Sequence, residues 1–175
     1  MSKRLVVVDM QNDFIDGALG TKEAAAIVPK VLEKIKKFKG QVFYTRDTHQ
    51  ENYLETLEGK KLPVKHCIAG TKGWELHRDI QALVQENHSM IFDKPTFGSM
   101  ALAGFLNGIQ KVAPIDAIEL VGLCTDICVI SNALLLKSVL PDTKILVDGS
   151  CCAGVTPQSH ETALKAMAMC QVEIL

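Results

Sequence analysis

Two cysteines lie close together in the segment GLCTDICV, which spans residues 122–129 and follows the apolar run Ala117–Val121. If a helix begins near Thr125, Cys128 lies in its first turn, where free backbone N–H groups and the helix dipole favour a thiolate. A thiolate can attack a carbonyl carbon, and the same N–H groups can hold the resulting oxyanion. The segment therefore predicts a nucleophile at Cys128.

A cysteine nucleophile needs a base and a cation nearby, and the ends of two other apolar runs offer them. Asp9 follows Leu5–Val8 and could accept the thiol proton, while Lys94 follows Met90–Phe92 and its charge could lower both pKa values. The three side chains converge if their strands are neighbours at the centre of a sheet. The same residues also fit buried core cysteines and charged groups that are solvated or paired at strand ends.

The elements that must position these residues alternate along the chain. Six short apolar runs predict strands covered on both faces: Leu5–Val8, Val42–Tyr44, Met90–Phe92, Ala117–Val121, Lys144–Val147 and Val172–Leu175. Five amphipathic segments predict helices: Ala24–Phe38, Trp74–Glu86, Ala101–Val112, Asp126–Ser138 and Pro157–Cys170, with Ser99, Thr125 and Thr156 near helix starts. We therefore expect one α/β domain over residues 1–175, a Rossmann-like three-layer α/β/α fold with a six-stranded parallel sheet whose carboxyl edge binds the ligand.

The segment from Asp47 to Gly73 shows no helical period, and a loop of that length in a compact domain is usually functional. Asp47 and His49 offer a carboxylate and an imidazole to one ion, and Glu58 and His66 add the rest of a plausible ligand set. An isolated pair of this kind is also common on a loop surface. A mixed oxygen and nitrogen set suits Zn²⁺, Mn²⁺ or Fe²⁺, and the sequence does not choose among them.

Charge and composition argue against several classes of protein. The 175 residues carry 19 Lys and Arg against 20 Asp and Glu, a net charge of -1, with no basic block that would favour nucleic acid or a membrane surface. The first apolar run is too short for a signal peptide or a membrane span, which predicts a cytoplasmic protein with six free thiols. The hydrophobic content of 47% leaves room for an apolar interface between subunits.

Five motifs, in this order along the chain, resemble those of the isochorismatase-like cysteine hydrolase superfamily, and within it the nicotinamidases. They are DMQNDF (Asp9–Phe14), TRDTH (Thr45–His49), LPVKHCIAGTKG (Leu62–Gly73), DKPTFGS (Asp93–Ser99) and GLCTDICV (Gly122–Val129). The resemblance implies an isochorismatase-like hydrolase fold and a triad of Asp9, Lys94 and Cys128. It also implies an oxyanion hole formed by the backbone N–H groups of Cys124 and Cys128, with a cis peptide bond at Leu123–Cys124.

The same resemblance implies a metal site and a substrate. The ligands would be Asp47, His49, His66 and Glu58, with Glu51 and Glu55 as substitutes for Glu58, and zinc is favoured over manganese or iron. In the family the ion binds the pyridine nitrogen of nicotinamide, and an aromatic residue at the position of Phe14 packs on the ring. The implied reaction converts nicotinamide to nicotinate and ammonia through a cysteine thioester, as in NAD salvage, and relatives often form homo-oligomers.

Other interpretations remain open at this point. A related hydrolase could act on another small amide or an N-carbamoyl compound, whereas a non-catalytic redox or metal-binding protein would use Cys124 and Cys128 as a thiol pair. Cleavage of isochorismate is disfavoured because members with that activity lack the metal ligands and can replace the cysteine. A nucleotide-binding domain is disfavoured because no G-x-G-x-x-G follows the first strand.

A few further residues have interpretations that only their contacts can decide. Trp74 and Phe97 could line a pocket or pack in the core, and Asp126 could cap a helix or orient a loop. The remaining histidines and cysteines are interpreted by default as surface or helix-cap residues (His77, His88 and His160) and as buried thiols (Cys67, Cys151, Cys152 and Cys170).

Overall fold

A computed structural model describes residues 2–175, in which six parallel strands form one sheet in the order β3-β2-β1-β4-β5-β6. The strands are β1 (Lys3–Val8), β2 (Gln41–Asp47), β3 (Met90–Lys94), β4 (Ala117–Leu123), β5 (Lys144–Ala153) and β6 (Glu173–Ile174). The helices are α1 (Asn12–Ile15), α2 (Lys22–Lys37), α3 (Leu57–Lys61), α4 (Arg78–Glu86), α5 (Met100–Val112), α6 (Ile130–Val139) and α7 (Pro157–Met169). A 3₁₀ turn at Tyr53–Glu55 and a π-helical turn at Thr125–Val129 complete the elements.

Side chains that alternate along each strand fill two separate cores. Leu5 and Val7 pack with α1, α2 and α4 on one face of the sheet, whereas Val6 and Val8 pack with α5, α6 and α7 on the other. All four are fully buried, which explains why the strand is an unbroken apolar run. The expected three-layer α/β/α fold with a six-stranded parallel sheet is confirmed.

Strands β1 to β3 follow one another towards one edge of the sheet, and β4 to β6 follow one another towards the other edge. The strand order therefore switches between β1 and β4, which are hydrogen-bonded neighbours. Such a switch point opens a crevice at the carboxyl ends of the strands. Gly122 lies at this point with φ of 117°, and a Cβ there would lie 2.1 Å from the carbonyl oxygen of Val8. Only glycine therefore allows β4 to approach β1 so closely beside the crevice.

Several expected boundaries differ from the structure. The helix expected over Trp74–Glu86 begins only at Arg78, because Leu76 forms a bridge with Gln11 and His77 caps the helix through its side chain. The segment 47–73 contains the short helix α3, which has too few residues to show a period. Ser99 and Thr156 are N-cap residues, as expected, whereas the helix expected over Asp126–Ser138 opens with a π-helical turn. No helix within residues 2–175 is long and apolar enough to cross a membrane.

Candidate active site

The structure brings Asp9, Lys94 and Cys128 together at the carboxyl edge of the sheet. The Nζ atom of Lys94 lies 2.7 Å from Oδ2 of Asp9 and 3.3 Å from Sγ of Cys128. All three side chains are almost fully buried. A carboxylate, an ammonium group and a thiol therefore share one desolvated site, as a cysteine nucleophile with a base requires.

The three residues converge in a different way from the one that we expected. β1 and β4 are central neighbours, but β3 is the edge strand of the sheet. Two strand spacings of about 4.8 Å separate β3 from β1, and the long side chain of Lys94 spans this gap. Lys94 pairs in register with Asp47 of β2, which places its ammonium group between Asp47 and Asp9.

Asp9 is held by residues of the neighbouring strand. Its backbone has φ of 47°, a left-handed conformation that is uncommon outside glycine. The backbone N–H of Asp9 donates to the carbonyl of Thr45, and the Thr45 hydroxyl donates to Oδ1 of Asp9 at 2.7 Å. Thr45 is fully buried, and sequence reasoning missed its contact because only the pairing of β1 with β2 creates it.

Cys128, the expected nucleophile, lies in the π-helical turn that follows β4. The carbonyl of Cys124 accepts hydrogen bonds from the backbone N–H groups of Ile127 and Val129. The peptide bond at Leu123–Cys124 is cis, which confirms the expectation from the family resemblance. Cys124 and Cys128 therefore bracket one tight turn that opens towards the crevice.

Two side-chain contacts attach this turn to the start of α7. Oγ1 of the fully buried Thr125 lies 2.7 Å from Nδ1 of His160, and the Asp126 carboxylate accepts from the backbone N–H of Val155 at 3.1 and 3.2 Å. The expectation for Asp126 as a loop-orienting residue is confirmed. The interpretation of His160 as a surface or cap residue is wrong, because α7 packs its imidazole against the nucleophile turn.

Three of the expected metal ligands form one buried cluster. Ligand atoms of Asp47, His49 and His66 lie within 4.8 Å of one another, and Oδ2 of Asp47 is 3.0 Å from Nε2 of His49. Oε1 of Glu58 lies 3.5 Å from Nε2 of His49 and 3.9 Å from Nε2 of His66, at the side of the cluster. Glu51 is exposed and pairs with Lys65, so it faces away from the three ligands.

The hydrogen bonds of the two histidines fit a divalent cation. Nδ1 of His66 lies 2.8 Å from the carbonyl of Val64 and must donate to it, which leaves the lone pair of Nε2 facing the cluster. Nε2 of His49 is buried and has no well-aligned hydrogen-bond partner among residues 2–175, although it lies beside the Asp47 carboxylate. Two imidazole nitrogens and one or two carboxylates are a donor set suited to zinc and related ions.

Gln11 holds the backbone of Asp47 in place, and sequence reasoning did not single it out. Its buried side chain accepts a hydrogen bond from the backbone N–H of Asp47 at 2.7 Å and donates to the Asp47 carbonyl at 2.8 Å and the Trp74 carbonyl at 2.9 Å. The amide therefore links the end of β2 to the loop after β1. In the sequence, Gln11 is distinguished only as a polar residue two positions after Asp9.

A cavity of about 620 Å³ extends from Cys128 to Asp47 and His66. Cys128 and Cys124 line one part of it, and Asp47 and His66 line another. The ring of Phe14 also lines the cavity, 5.6 Å from the ring of His66, where it can contact a flat substrate. The arrangement allows an attack on a carbonyl carbon while a second part of the same small molecule lies beside the ligands.

Of the two aromatic residues left open by the sequence, one lies in the cavity. Phe97 lines its wall, whereas Trp74 packs under the guanidinium of Arg46 and donates a hydrogen bond to Thr48. Among the remaining thiols, three are buried as expected: Cys67, Cys151 and Cys152. The expectation of burial is wrong for Cys170, which is exposed at the end of α7 because that helix turns Ala163 and Met167 inward.

A family model for the isochorismatase domain matches residues 3–175. The chain belongs to the isochorismatase family. A nicotinamidase/pyrazinamidase of Mycobacterium tuberculosis is 26% identical, over 99% of this chain and 98% of that protein.

Solved structures within the isochorismatase-like fold agree with this assignment. The structure of a pyrazinamidase of Pyrococcus horikoshii in complex with zinc superposes with a TM-score of 0.80 at 28% identity, covering 100% of this chain and 99% of that one. A pyrazinamidase/nicotinamidase from Streptococcus mutans gives a TM-score of 0.83 at 27% identity, with coverage of 99% and 100%. Isochorismatase-family proteins with these names therefore share both the length and the architecture of this chain.

Burial dominates the electrostatics of the triad. It raises the pKa of Asp9 above its ordinary value although the charge of Lys94 opposes it, and burial together with the Asp9 charge raises the pKa of the Cys128 thiol. Burial would lower the pKa of Lys94, but the negative charges of Asp9 and Asp47 outweigh it and raise that pKa. The charge of Lys94 lowers the pKa of Asp9 and of Cys128, as expected, but burial outweighs this effect and both pKa values are raised.

These shifts define the resting charges of the site. Cys128 is a thiol and Lys94 is cationic, and the raised pKa of Asp9 makes its carboxylate a stronger base. At Asp47, burial would raise the pKa, but the adjacent side chains of His49 and His66 and the charge of Lys94 outweigh burial and lower it. Asp47 therefore stays ionised, as a metal ligand must.

Proposed function

We propose that this protein is a nicotinamidase-type amidohydrolase that converts nicotinamide to nicotinate and ammonia. The observation that carries the proposal is the contact of Lys94 with both Asp9 and Cys128, at 2.7 and 3.3 Å, in a cavity that also holds a cluster of metal ligands. Relatives named nicotinamidase and pyrazinamidase that match over almost the whole chain support it. In a cell this reaction would recover nicotinate for the salvage of NAD.

In the first half-reaction, Asp9 takes the proton from Cys128 and the thiolate attacks the carboxamide carbon. The π electrons of the carbonyl move to its oxygen, beside the backbone N–H groups of Cys124 and Cys128 that we assign to the oxyanion hole. The oxyanion then reforms the carbonyl, the C–N bond breaks, and Asp9 returns its proton to the leaving nitrogen. The products are ammonia and a thioester on Cys128.

In the second half-reaction, Asp9 removes a proton from a water molecule that attacks the thioester carbon. The C–S bond breaks, the proton returns from Asp9 to the Cys128 sulfur, and the acid leaves, losing its remaining proton to solvent to give nicotinate. Lys94 keeps a positive charge beside both groups throughout, which stabilises the thiolate and the Asp9 carboxylate by Coulomb attraction. The fully buried Thr45 restrains the carboxylate of Asp9 by its hydrogen bond to Oδ1.

We assign the cation site to Asp47, His49 and His66, with Glu58 as the fourth protein ligand. A bound divalent cation would supply a Lewis acid for the pyridine nitrogen and so orient the ring. Zinc is the ion that we favour, because the donors are mixed nitrogen and oxygen and a related pyrazinamidase has been solved with zinc. Phe14 would contact one face of the ring from the cavity wall.

Ammonia release from nicotinamide tests the proposal, with the wild type, Cys128→Ala and Cys170→Ala compared side by side. Cys170 is an exposed thiol far from the cavity lining, so Cys170→Ala is a matched control for loss of a cysteine. We expect release by the wild type and by Cys170→Ala, and none by Cys128→Ala. Release by Cys128→Ala at the wild-type rate would refute the assigned nucleophile, and no release by zinc-loaded wild type would refute nicotinamide as substrate.

A further inference from the structure

The cavity above Cys128 is much larger than a single aromatic ring. Its volume of about 620 Å³ equals the liquid volume of roughly twenty water molecules at ~30 Å³ each. Nicotinamide, one ring with one carboxamide group, would occupy only the inner part between Cys128 and His66. The outer part remains open to a further portion of the same ligand.

Exposed apolar side chains form the wall of this outer part. They are Leu57 at the start of α3, Leu62 just after α3, Phe97 in the loop after β3 and Val155 in the loop before α7. Leu57 is 73% exposed and Val155 is 53% exposed, although both face one cavity. Exposed apolar side chains that come from three separate segments and surround one opening form the kind of patch that marks a binding site.

The charges around the outer part of the cavity offer an anionic substituent little to pair with. Its inner part carries the carboxylates of Asp47 and Glu58, and the sole lysine among the described lining residues, Lys61, is exposed at the outer rim. A phosphate or carboxylate substituent in the outer part would therefore have only this exposed lysine to pair with among the described lining residues, close to the carboxylate of Glu58. A neutral, apolar group suits the outer wall because it loses contact with water and meets only hydrocarbon.

We propose that Leu57, Leu62, Phe97 and Val155 form a subsite for an apolar substituent on a neutral amide substrate. The substrate class is thus aromatic amides that carry an alkyl or aryl group on the ring, in addition to the unsubstituted ring. This inference rests on the proposed amide hydrolysis at Cys128. It differs from that proposal because it assigns the outer cavity, which the reaction itself does not use.

A series of ring-alkylated nicotinamides measures the subsite directly. Each added methylene that leaves water is expected to raise kcat/KM about four-fold, equivalent to ~0.8 kcal/mol, until the outer cavity is full. In Leu57→Ser, kcat/KM should rise much less with each added methylene, because a hydroxyl replaces the hydrocarbon that contacts the alkyl group. Leu57 is mostly exposed, so the fold does not depend on it.

Leu54→Ser is the matched control for Leu57→Ser. Leu54 is 44% exposed in the neighbouring 3₁₀ turn and does not line the cavity. We expect Leu54→Ser to retain the full increase with alkyl length. An increase that both variants retain, or that neither the wild type nor a variant shows, would overturn the subsite.

Calorimetric binding of the same series to Cys128→Ala separates this inference from the proposed function. Tighter binding with each methylene supports the subsite even if nicotinamide itself is not hydrolysed, in which case only the proposed substrate fails. Binding that does not change with alkyl length overturns the subsite even if nicotinamide is a good substrate. Dissociation of an oligomer by Leu57→Ser in sedimentation, with no dependence on alkyl length, would assign the apolar wall to a second copy of the chain instead.

Discussion

Replacing Lys94 by methionine would remove the one charge that contacts both Asp9 and Cys128 and leave the length of the side chain almost unchanged. Lys94 is 1% exposed, so water cannot replace its ammonium group without opening the site. The variant would keep a buried carboxylate at Asp9, and another at Asp47, without their shared cation. We expect losses of both stability and activity, each with its own dependence on pH.

The size of the stability loss follows from the ion pair. Unit charges 2.7 Å apart attract by about 6 kcal/mol at an effective dielectric constant of ~20, and the burial of both charges offsets part of this. Removing one partner of a buried pair typically costs about 3–5 kcal/mol. Without Lys94 the pKa of Asp9 rises further above its unfolded value, so the folded state binds more protons than the unfolded state. The stability of the variant therefore falls as pH rises, and its deficit shrinks as pH falls.

Urea unfolding of Lys94→Met at about pH 5 and about pH 8 measures this dependence. We expect the larger deficit at the higher pH, with kcat/KM at neutral pH reduced at least about 10²-fold because protonated Asp9 cannot act as a base. Lys111→Met, at an exposed lysine of α5, is the control and should change neither quantity. A deficit independent of pH, or activity near that of the wild type, would contradict the assigned charges.

Substitutions at three further residues test two contacts beside the site and one ion pair elsewhere in the fold. His160→Ala should lower kcat about ten-fold, because the turn that carries Cys128 loses one hydrogen bond to the buried hydroxyl of Thr125. His160→Asn should restore most of the lost activity, because an amide can still bond to this hydroxyl. Equal rates in both variants would exclude a positioning role. Gln11→Ala should weaken zinc binding about 10–100-fold in calorimetry because it frees the backbone of Asp47, and unchanged affinity would refute this. Lys34→Met should lower the unfolding free energy by about 1–3 kcal/mol near neutral pH, because Lys34 pairs with the partly buried carboxylates of Glu119 and Asp148. That loss should vanish as pH falls through the lowered pKa of the Asp148 carboxyl group. A loss that persists in acid would contradict the ion pair.

The sequence was sufficient for the sheet and for the residues at its edge. An unbroken apolar run reports a strand buried on both faces, and a parallel sheet brings the residues that follow its strands to one side. Asp9, Lys94 and Cys128 could therefore be chosen before their distances were known. Their catalytic roles remain predictions that the variants above test.

What the sequence could not reveal depends on pairings between distant segments. Thr45 and Gln11 look like ordinary polar residues until β1 and β2 pair, and His160 acquires its role only when α7 packs on the nucleophile turn. The position of β3 at the sheet edge likewise follows from strand order, which periodicity does not encode. The length of Lys94 compensates for that position, so the expected convergence occurs for a different geometric reason.

Mass spectrometry of the protein, quenched with acid during turnover of nicotinamide, tests the central claim most directly. The mechanism predicts a nicotinoyl thioester on the peptide that contains Cys128 in the wild type, and no adduct in Cys128→Ala. An adduct on another residue, or turnover by Cys128→Ala without any adduct, would contradict the claim that this thiol attacks the amide carbon.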